Sequence, residues 1–192
     1  MTSKTKTMNE SSLIKKILAD IRVEAASEFD RNFERQAFFS EAWQRRKSPS
    51  RSKRGTLINT GALRRSITSK SDDTSITFYT TLPYAAIHNE GGEIQVTPRM
   101  KAFFWHKYYE TTGGFKRKKD GSLSGSKAQM QLSSEAEFWK HLALMKVGKT
   151  IKIPRRRFLG ASPELEQMVR RIIEHHLELY SKSIIDHLKK NV

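Results

Sequence analysis

Apolar residues fall at Leu13, Ile17, Ile21, Ala25, Phe29, Phe33 and Ala37, each four positions after the last, with Ile14 and Leu18 beside them. That period predicts a helix over 10–40. Each four-residue step overshoots a full turn by about 40°, so the stripe winds around the helix. Either the helix bends near its middle or its two halves face different neighbours. The pattern stops at a Pro/Ser/Arg-rich linker over 48–55. Beyond it, Ser66–Lys70 and Thr74–Thr81 flank Ser71, Asp72 and Asp73, which favour a turn. Ile76, Phe78 and Thr80 alternate with Thr77 and Tyr79, as in a half-buried antiparallel strand. A β-hairpin is expected here.

Pro83–Glu90 reads as a short helical turn closed by Gly91 and Gly92. Glu93–Thr97 reads as a strand with Ile94 and Val96 on one face, and the aromatic-rich Met100–Tyr109 as a helix. Residues 111–134 lose apolar periodicity and become rich in Gly, Ser and Lys, with a turn signal at Asp120-Gly121. A stretch of that length without elements predicts an insert that is mobile in the isolated subunit. Helical spacing returns over Glu135–Val147 through Phe138, Leu142 and Met145, and Gly148 ends it. Thr150–Ile153 is a further short strand. Ser162 then stands as an N-cap before Pro163 and Glu164, opening a helix over 162–190. Its apolar face is Leu165, Met168, Val169, Ile172, Ile173, Leu177, Tyr180, Ile184 and Leu188. The expected fold is α+β, a single domain over 1–192 behind a flexible segment 1–9. Its core would be a small, mainly antiparallel sheet of about four strands packed with long N- and C-terminal helices.

Composition narrows the class. Hydrophobic residues are 36% and charged residues 29%, which predicts a modest core and polar surfaces completed by partners. The absence of cysteine excludes disulfides and thiolate metal sites. No apolar run is long enough to cross a bilayer, and Met1–Asn9 lacks the apolar run of a signal peptide. A cytoplasmic site of synthesis and use is therefore expected. The net charge of +16 attracts phosphates and acidic protein surfaces alike. Its clusters are Arg45, Arg46 and Lys47; Arg51, Lys53 and Arg54; Lys116, Arg117, Lys118 and Lys119; and Arg155, Arg156 and Arg157. They are candidate contacts to DNA or to an acidic partner, set against the plainer reading of solvated loops that keep the subunit soluble.

Catalytic constellations are not evident. Gly91-Gly92 and Gly113-Gly114 lack the following Lys-Ser/Thr or the wider spacing of a phosphate loop. His88 and Glu90, two apart, would not share a helix face, and at most one of His175 and His176 can face a given ligand. His106, His141 and His187 lie in separate segments. No catalytic residue, metal ligand or cofactor site is assigned.

Three blocks carry the identification. The first runs from Thr56 through Thr60-Gly61-Ala62-Leu63-Arg64-Arg65-Ser66-Ile67, the second is Tyr84-Ala85-Ala86-Ile87-His88-Asn89-Glu90-Gly91-Gly92, and the third is Ile151-Lys152-Ile153-Pro154-Arg155-Arg156-Arg157-Phe158-Leu159-Gly160. Each has a physical reading of its own. Thr60-Gly61 permits a tight turn, and Leu63 and Ile67 anchor the start of the sheet. Tyr84, Ile87 and His88 pack a helical turn across its end. Pro154 stops a strand, and Phe158 and Leu159 plug the core. In this order, over roughly Trp43 to Arg171, the blocks resemble the phage virion morphogenesis family, tail-completion proteins related to those of phages Mu and P2. More distantly, they resemble HK97-type tail-joining proteins. The sequence departs from the family pattern at Asn89-Glu90 after His88 and in the 111–134 insert.

The resemblance implies a structural protein, not an enzyme, that completes the tail or joins head to tail. Its implied place is the virion tail or neck, after assembly in the host cytoplasm. Its implied partners are its own copies in a ring, with a hexamer among the sizes allowed, then tail tube or terminator proteins and the head connector. DNA contact would be non-specific. The rival reading is a basic protein that binds phage DNA during packaging or passage.

Overall fold

The structure, a computed structural model, describes residues 10–47, 49 and 55–190. In chain order the elements are α1 (Glu10–Arg35), β1 (Ala37–Phe38), β2 (Glu41–Ala42), α2 (Ala62–Arg65), β3 (Thr68–Ser71), β4 (Ile76–Tyr79), α3 (Ala85–Glu90), β5 (Gly92–Gln95), α4 (Pro98–Gly113), α5 (Lys127–Leu144), β6 (Thr150–Ile153) and α6 (Pro163–Lys190). The class is α+β, with long first and last helices. The strands do not form one sheet. They make three two-stranded antiparallel ladders: β1 with β2, β3 with β4, and β5 with β6.

Two compact units account for this division. The first draws on the chain up to Trp43, on 57–85 and on the chain from Arg157 onward; the second draws on 44–56 and 86–156. The predicted hairpin, β3 with β4, lies in the first unit. Thr68 pairs with Tyr79 and Ser71 with Ile76 across a turn that Asp72 closes by accepting from the Thr74 and Ser75 N–H groups. The strand pair predicted at a distance, β5 with β6, lies in the second, with Gly92 opposite Ile153 and Gln95 opposite Thr150. Strands in different units share no ladder, so the expected four-stranded sheet is divided.

In the first unit α1 stops at Arg35, short of the predicted 40. Gln36 takes a left-handed conformation (φ 56°), and so does Phe39 (φ 51°), giving a tight β1–β2 hairpin. The side chain of Asn32, fully buried, holds this turn: its Oδ1 accepts from Phe39 N–H at 2.9 Å and from Arg35 Nη2 at 3.0 Å. The wound stripe on α1 meets two sets of neighbours, as its geometry requires. Ala25 and Phe29 join Phe38 and Met168, with Leu165, Val169 and Ile172 of α6 packed alongside. One turn on, Phe33 joins a different cluster with Trp43, Leu63, Ala85 and Phe158. Ser162 caps α6 as predicted, its Oγ accepting from Leu165 N–H at 3.1 Å.

The second unit is built on the α4–α5 pair. Phe104 is buried and its ring stacks on Trp139 at 6.2 Å. Val96 tethers the ladder end, donating to Lys149 O and accepting from Gly148 N–H, both at 2.8 Å. The insert expected over 111–134 narrows. Its first three residues continue α4 and its last eight belong to α5, leaving 114–126 between the helices. Sequence periodicity failed there because the end of α4 and the start of α5 are built mostly from Thr, Gly, Lys, Ser and Gln, and the buried position at 129 is a glutamine. Capping by Ser126 Oγ, which accepts from Gln129 N–H, starts α5 at Lys127, ahead of the predicted start at Glu135.

Candidate functional site

The first block makes a turn and one short helix. Gly61 adopts φ 73° at the N-terminus of α2, a left-handed conformation that suits glycine. Ser66 Oγ then ties the end of α2 to the residue that follows β4, bonding to Leu63 O at 2.8 Å and Thr80 Oγ1 at 2.7 Å. Arg64 clamps the block to α1: its guanidinium donates to both Asp30 oxygens and reaches Glu34 Oε1 at 2.7 Å. The hydrogen bond from Arg64 holds the Asp30 carboxyl below the usual carboxylate range. This clamp was not singled out from the sequence. The signal was available, since Asp30 and Glu34 lie four apart and share a face of α1 that a cation would match.

The three blocks converge. Leu63 of the first, Ala85 of the second and Phe158 of the third share one buried cluster with Phe33 and Trp43; Ile67 and Leu159 pack against it. Trp43 Nε1 donates to Arg157 O at 2.6 Å, and Asn32 Nδ2 to Phe158 O at 3.4 Å. Arg157 rests its guanidinium 4.5 Å above the Phe38 ring, a cation–π contact of about 1 kcal/mol. Tyr84 departs from expectation: it is 43% exposed rather than packed in. Thr60 Oγ1 accepts from Ala62 N–H, and Gly160 adopts φ 139° beside the Arg157 guanidinium.

In the second unit the second and third blocks meet again. Arg156 N–H donates to His88 O at 2.8 Å, and a Cβ added to Gly91 would stand 2.8 Å from Arg155 N. Pro154, half-buried, follows the last residue of β6, and Arg155 is exposed. Arg156 is only 7% exposed, and its Nε donates to Gln44 O at 2.9 Å. This candidate contact residue therefore serves the interior. Burial, with the Arg156 charge nearby, holds the His88 imidazole below its ordinary 6.5. A base with a lowered folded pKa is bound to its proton more tightly when unfolded. Stability is then fully present above the ordinary value and declines as pH falls through it. Urea midpoints taken from about pH 7.5 to about pH 5.5 should drop more steeply for the wild type than for His88→Gln. Parallel profiles would disprove this assignment.

The cations separate by placement. Arg45, Arg46 and Lys47 are exposed, whereas Arg51, Lys53 and Arg54 lie outside the described residues. Lys116, Arg117, Lys118 and Lys119 are exposed on a small ordered turn. Arg117 bridges to Leu123, Lys118 N–H donates to Ser122 O at 2.8 Å, and Gly121 takes φ 81° at the predicted Asp120-Gly121 turn. Buried Gln129 roots this turn, its Oε1 accepting from Lys116 N–H at 2.8 Å. Folded backbone thus presents four consecutive cations to solvent, a feature that sequence alone placed in a structureless insert.

Among the described residues no cluster of three or more His, Asp or Glu is arranged to hold a metal ion, and no helix is long and apolar enough to cross a membrane. His88 and Arg156 hold the second and third blocks together; His175 is exposed and His176 pairs with Asp20 at 2.7 Å. Leu63, Ala85 and Phe158 of the three blocks build the shared cluster, and the exposed cations stand outside it.

No curated protein and no solved structure matches the chain. The phage virion morphogenesis family matches it over residues 3–178, which takes in all three blocks, α1 and most of α6. The chain belongs to the phage virion morphogenesis family and so has a structural role in virion assembly.

Proposed function

We propose that this protein completes the phage tail or joins head to tail, docking as an oligomeric ring without catalysing a reaction. The observation that carries this reading is the family match over 3–178, reinforced by the three ordered blocks within it. Subunits that meet head to tail in a ring need two unlike, complementary faces. The surface supplies unlike materials: exposed cations at Lys116–Lys119, and exposed apolar side chains such as Phe103, Tyr109 and Leu144 in the same unit. The basic turn would grip acidic surfaces of tail or connector proteins, or line a channel that carries DNA.

Deleting the gene from its phage tests the reading directly. Tails without heads, or unjoined heads and tails, are the expected product, with infectivity restored when the gene is supplied in trans. Normal yields of joined, infectious particles would reject it. A DNA-packaging role predicts something else: joined particles lacking DNA, and duplex binding that weakens steeply with salt. Reversing the four cations at Lys116–Lys119 to Glu should block joining while leaving the subunit folded.

A further inference from the structure

The positive charge is confined to one unit. Among the described residues the first unit carries 14 Lys and Arg against 14 Asp and Glu, while the second carries 17 against 6. The densest cations of the second unit stand on the framed turn between α4 and α5. Lys118 N–H donates to Ser122 O at 2.8 Å, Ser124 N–H to Lys116 O at 2.9 Å, and Gly121 N–H to Lys118 O at 3.0 Å. With the Arg117–Leu123 bridge, these bonds make 116–124 a short two-stranded ribbon. Gln129 closes its base by accepting from Lys116 N–H, and Arg117 Nη1 donates across it to Gly121 O at 2.9 Å. The one acid of the ribbon, Asp120, is turned onto Ser122, whose N–H and hydroxyl both donate to Oδ1. The ribbon lies about 24 Å along α4 from the end of that helix that adjoins the β5–β6 ladder.

Holding four like charges together opposes folding, so a ribbon built this way suits an anionic partner. Successive residues of a strand face opposite sides, which places Lys116 and Lys118 on one face, Arg117 on the other and Lys119 at the apex. A flat acidic protein surface meets one face and leaves the remaining cations unpaired. A duplex groove meets both, since phosphates line its two walls. The major groove, about 12 Å wide and about 8.5 Å deep, admits a two-stranded ribbon. Strands of 116–118 and 122–124 reach roughly 10 Å at about 3.3 Å per residue, which matches that depth. Lysines act as point charges, and the Arg117 guanidinium is partly engaged by Gly121 O, so nothing in the contact reads bases.

We infer that the 116–124 ribbon enters the major groove of duplex DNA and grips the phosphates on both walls without sequence preference. This deepens the tail reading, in which the same turn serves either an acidic protein or a DNA channel, by naming the partner. Duplex binding is then common to the tail and packaging readings, and the deletion phenotype separates those two.

Anisotropy of a labelled mixed-sequence duplex, titrated with the full-length protein between about 50 and about 200 mM salt, measures the contact. Each neutralised phosphate adds about 0.9 to the log–log salt slope. Lys116→Gln/Arg117→Gln/Lys118→Gln/Lys119→Gln should therefore flatten the slope by about 3–4 and weaken low-salt binding at least about ten-fold. The control variant carries Gln at Lys140, Lys146, Lys149 and Lys152, exposed cations of the same unit. It loses the same charge and should flatten the slope by less than about 1. Equal flattening by both variants would show bulk attraction alone and overturn the ribbon's role. Circular dichroism checks folding. If the four changes together unfold the protein, Lys118→Gln/Lys119→Gln should still give about half the effect, and no effect from that pair rejects the proposal. A duplex bearing bulky glucosyl groups in its major groove should bind at least about ten-fold more weakly; undiminished binding would place the ribbon outside the groove. Poly-glutamate that binds as tightly as duplex, and loses as much in the ribbon variant, would assign the turn to an acidic protein instead. Absence of duplex binding, with unjoined particles on gene deletion, overturns the DNA contact alone. Ribbon-dependent duplex binding, with normal joined particles on deletion, overturns the tail reading alone.

Discussion

Replacing Phe158 by alanine is expected to cost about 3–5 kcal/mol of folding stability, against roughly 5–15 kcal/mol for a typical domain. Phe158 is 1% exposed, and its ring lies 5.4 Å from that of Phe33, which in turn meets Trp43 edge-on at 5.5 Å. Truncation removes the ring from a site where all three sequence blocks meet. The void has little room to collapse, because fixed polar groups surround it. Asn32 bonds to the Phe158 carbonyl, Trp43 Nε1 is held by Arg157 O, and Arg64 clamps the adjoining helix to α1. Leucine at 158 should recover part of the loss. Alanine at Phe103, 49% exposed, should cost far less. Urea unfolding followed by tryptophan fluorescence and circular dichroism measures the series. Similar midpoints for Phe158→Ala and Phe103→Ala would refute the role given to this cluster.

Gly91→Ala is expected to be the most damaging change that adds only a methyl group. Gly91 sits at φ 73°, and the new Cβ would stand 2.8 Å from Arg155 N and 3.1 Å from Arg155 Cα. The dihedral alone costs about 1–2 kcal/mol for a residue with a side chain. The close approach adds to that, because backbone must move and this backbone is pinned. Arg156 N–H is bonded to His88 O, and Gly92 is paired with Ile153 in the β5–β6 ladder. A total above about 2 kcal/mol follows, with hydrogen-exchange protection lost first at the amides of β5 and β6. Gly113→Ala is the control. It lies at the end of α4 without a positive φ, and nothing stands within 4 Å of its added Cβ, so alanine there should be neutral or slightly stabilising. Equal effects at the two glycines would show that the second and third blocks are not joined through Gly91.

Local order was legible wherever it depended on neighbours in the chain. The four-residue spacing of Leu13 to Phe33 marked α1, Asp72 and its flanking alternation marked the β3–β4 hairpin, and Ser162-Pro163-Glu164 marked the start of α6. Each signal is a short-range one: a helical period, a turn-forming side chain, a cap. Within the three blocks, a glycine at a turn and an aromatic residue after a short strand were legible locally, as at Gly61 and Phe158. What the sequence could not determine depended on groups far apart along the chain. Whether β3–β4 and β5–β6 share a ladder depends on which compact unit each joins. Whether Arg156 meets a partner or the interior depends on Gln44 and His88, which lie at least 68 positions away. The end of α1 was overestimated because Gln36 and Phe39 adopt left-handed conformations that non-glycine residues rarely take, held there by the buried Asn32 side chain. Apolar periodicity in α6 continues evenly from Leu165 to Leu188, yet only its first turns meet the rest of the first unit's core. Periodicity records which face of a helix is apolar. Only the tertiary structure decides how far along the helix that face is covered, because coverage depends on where the rest of the core stops.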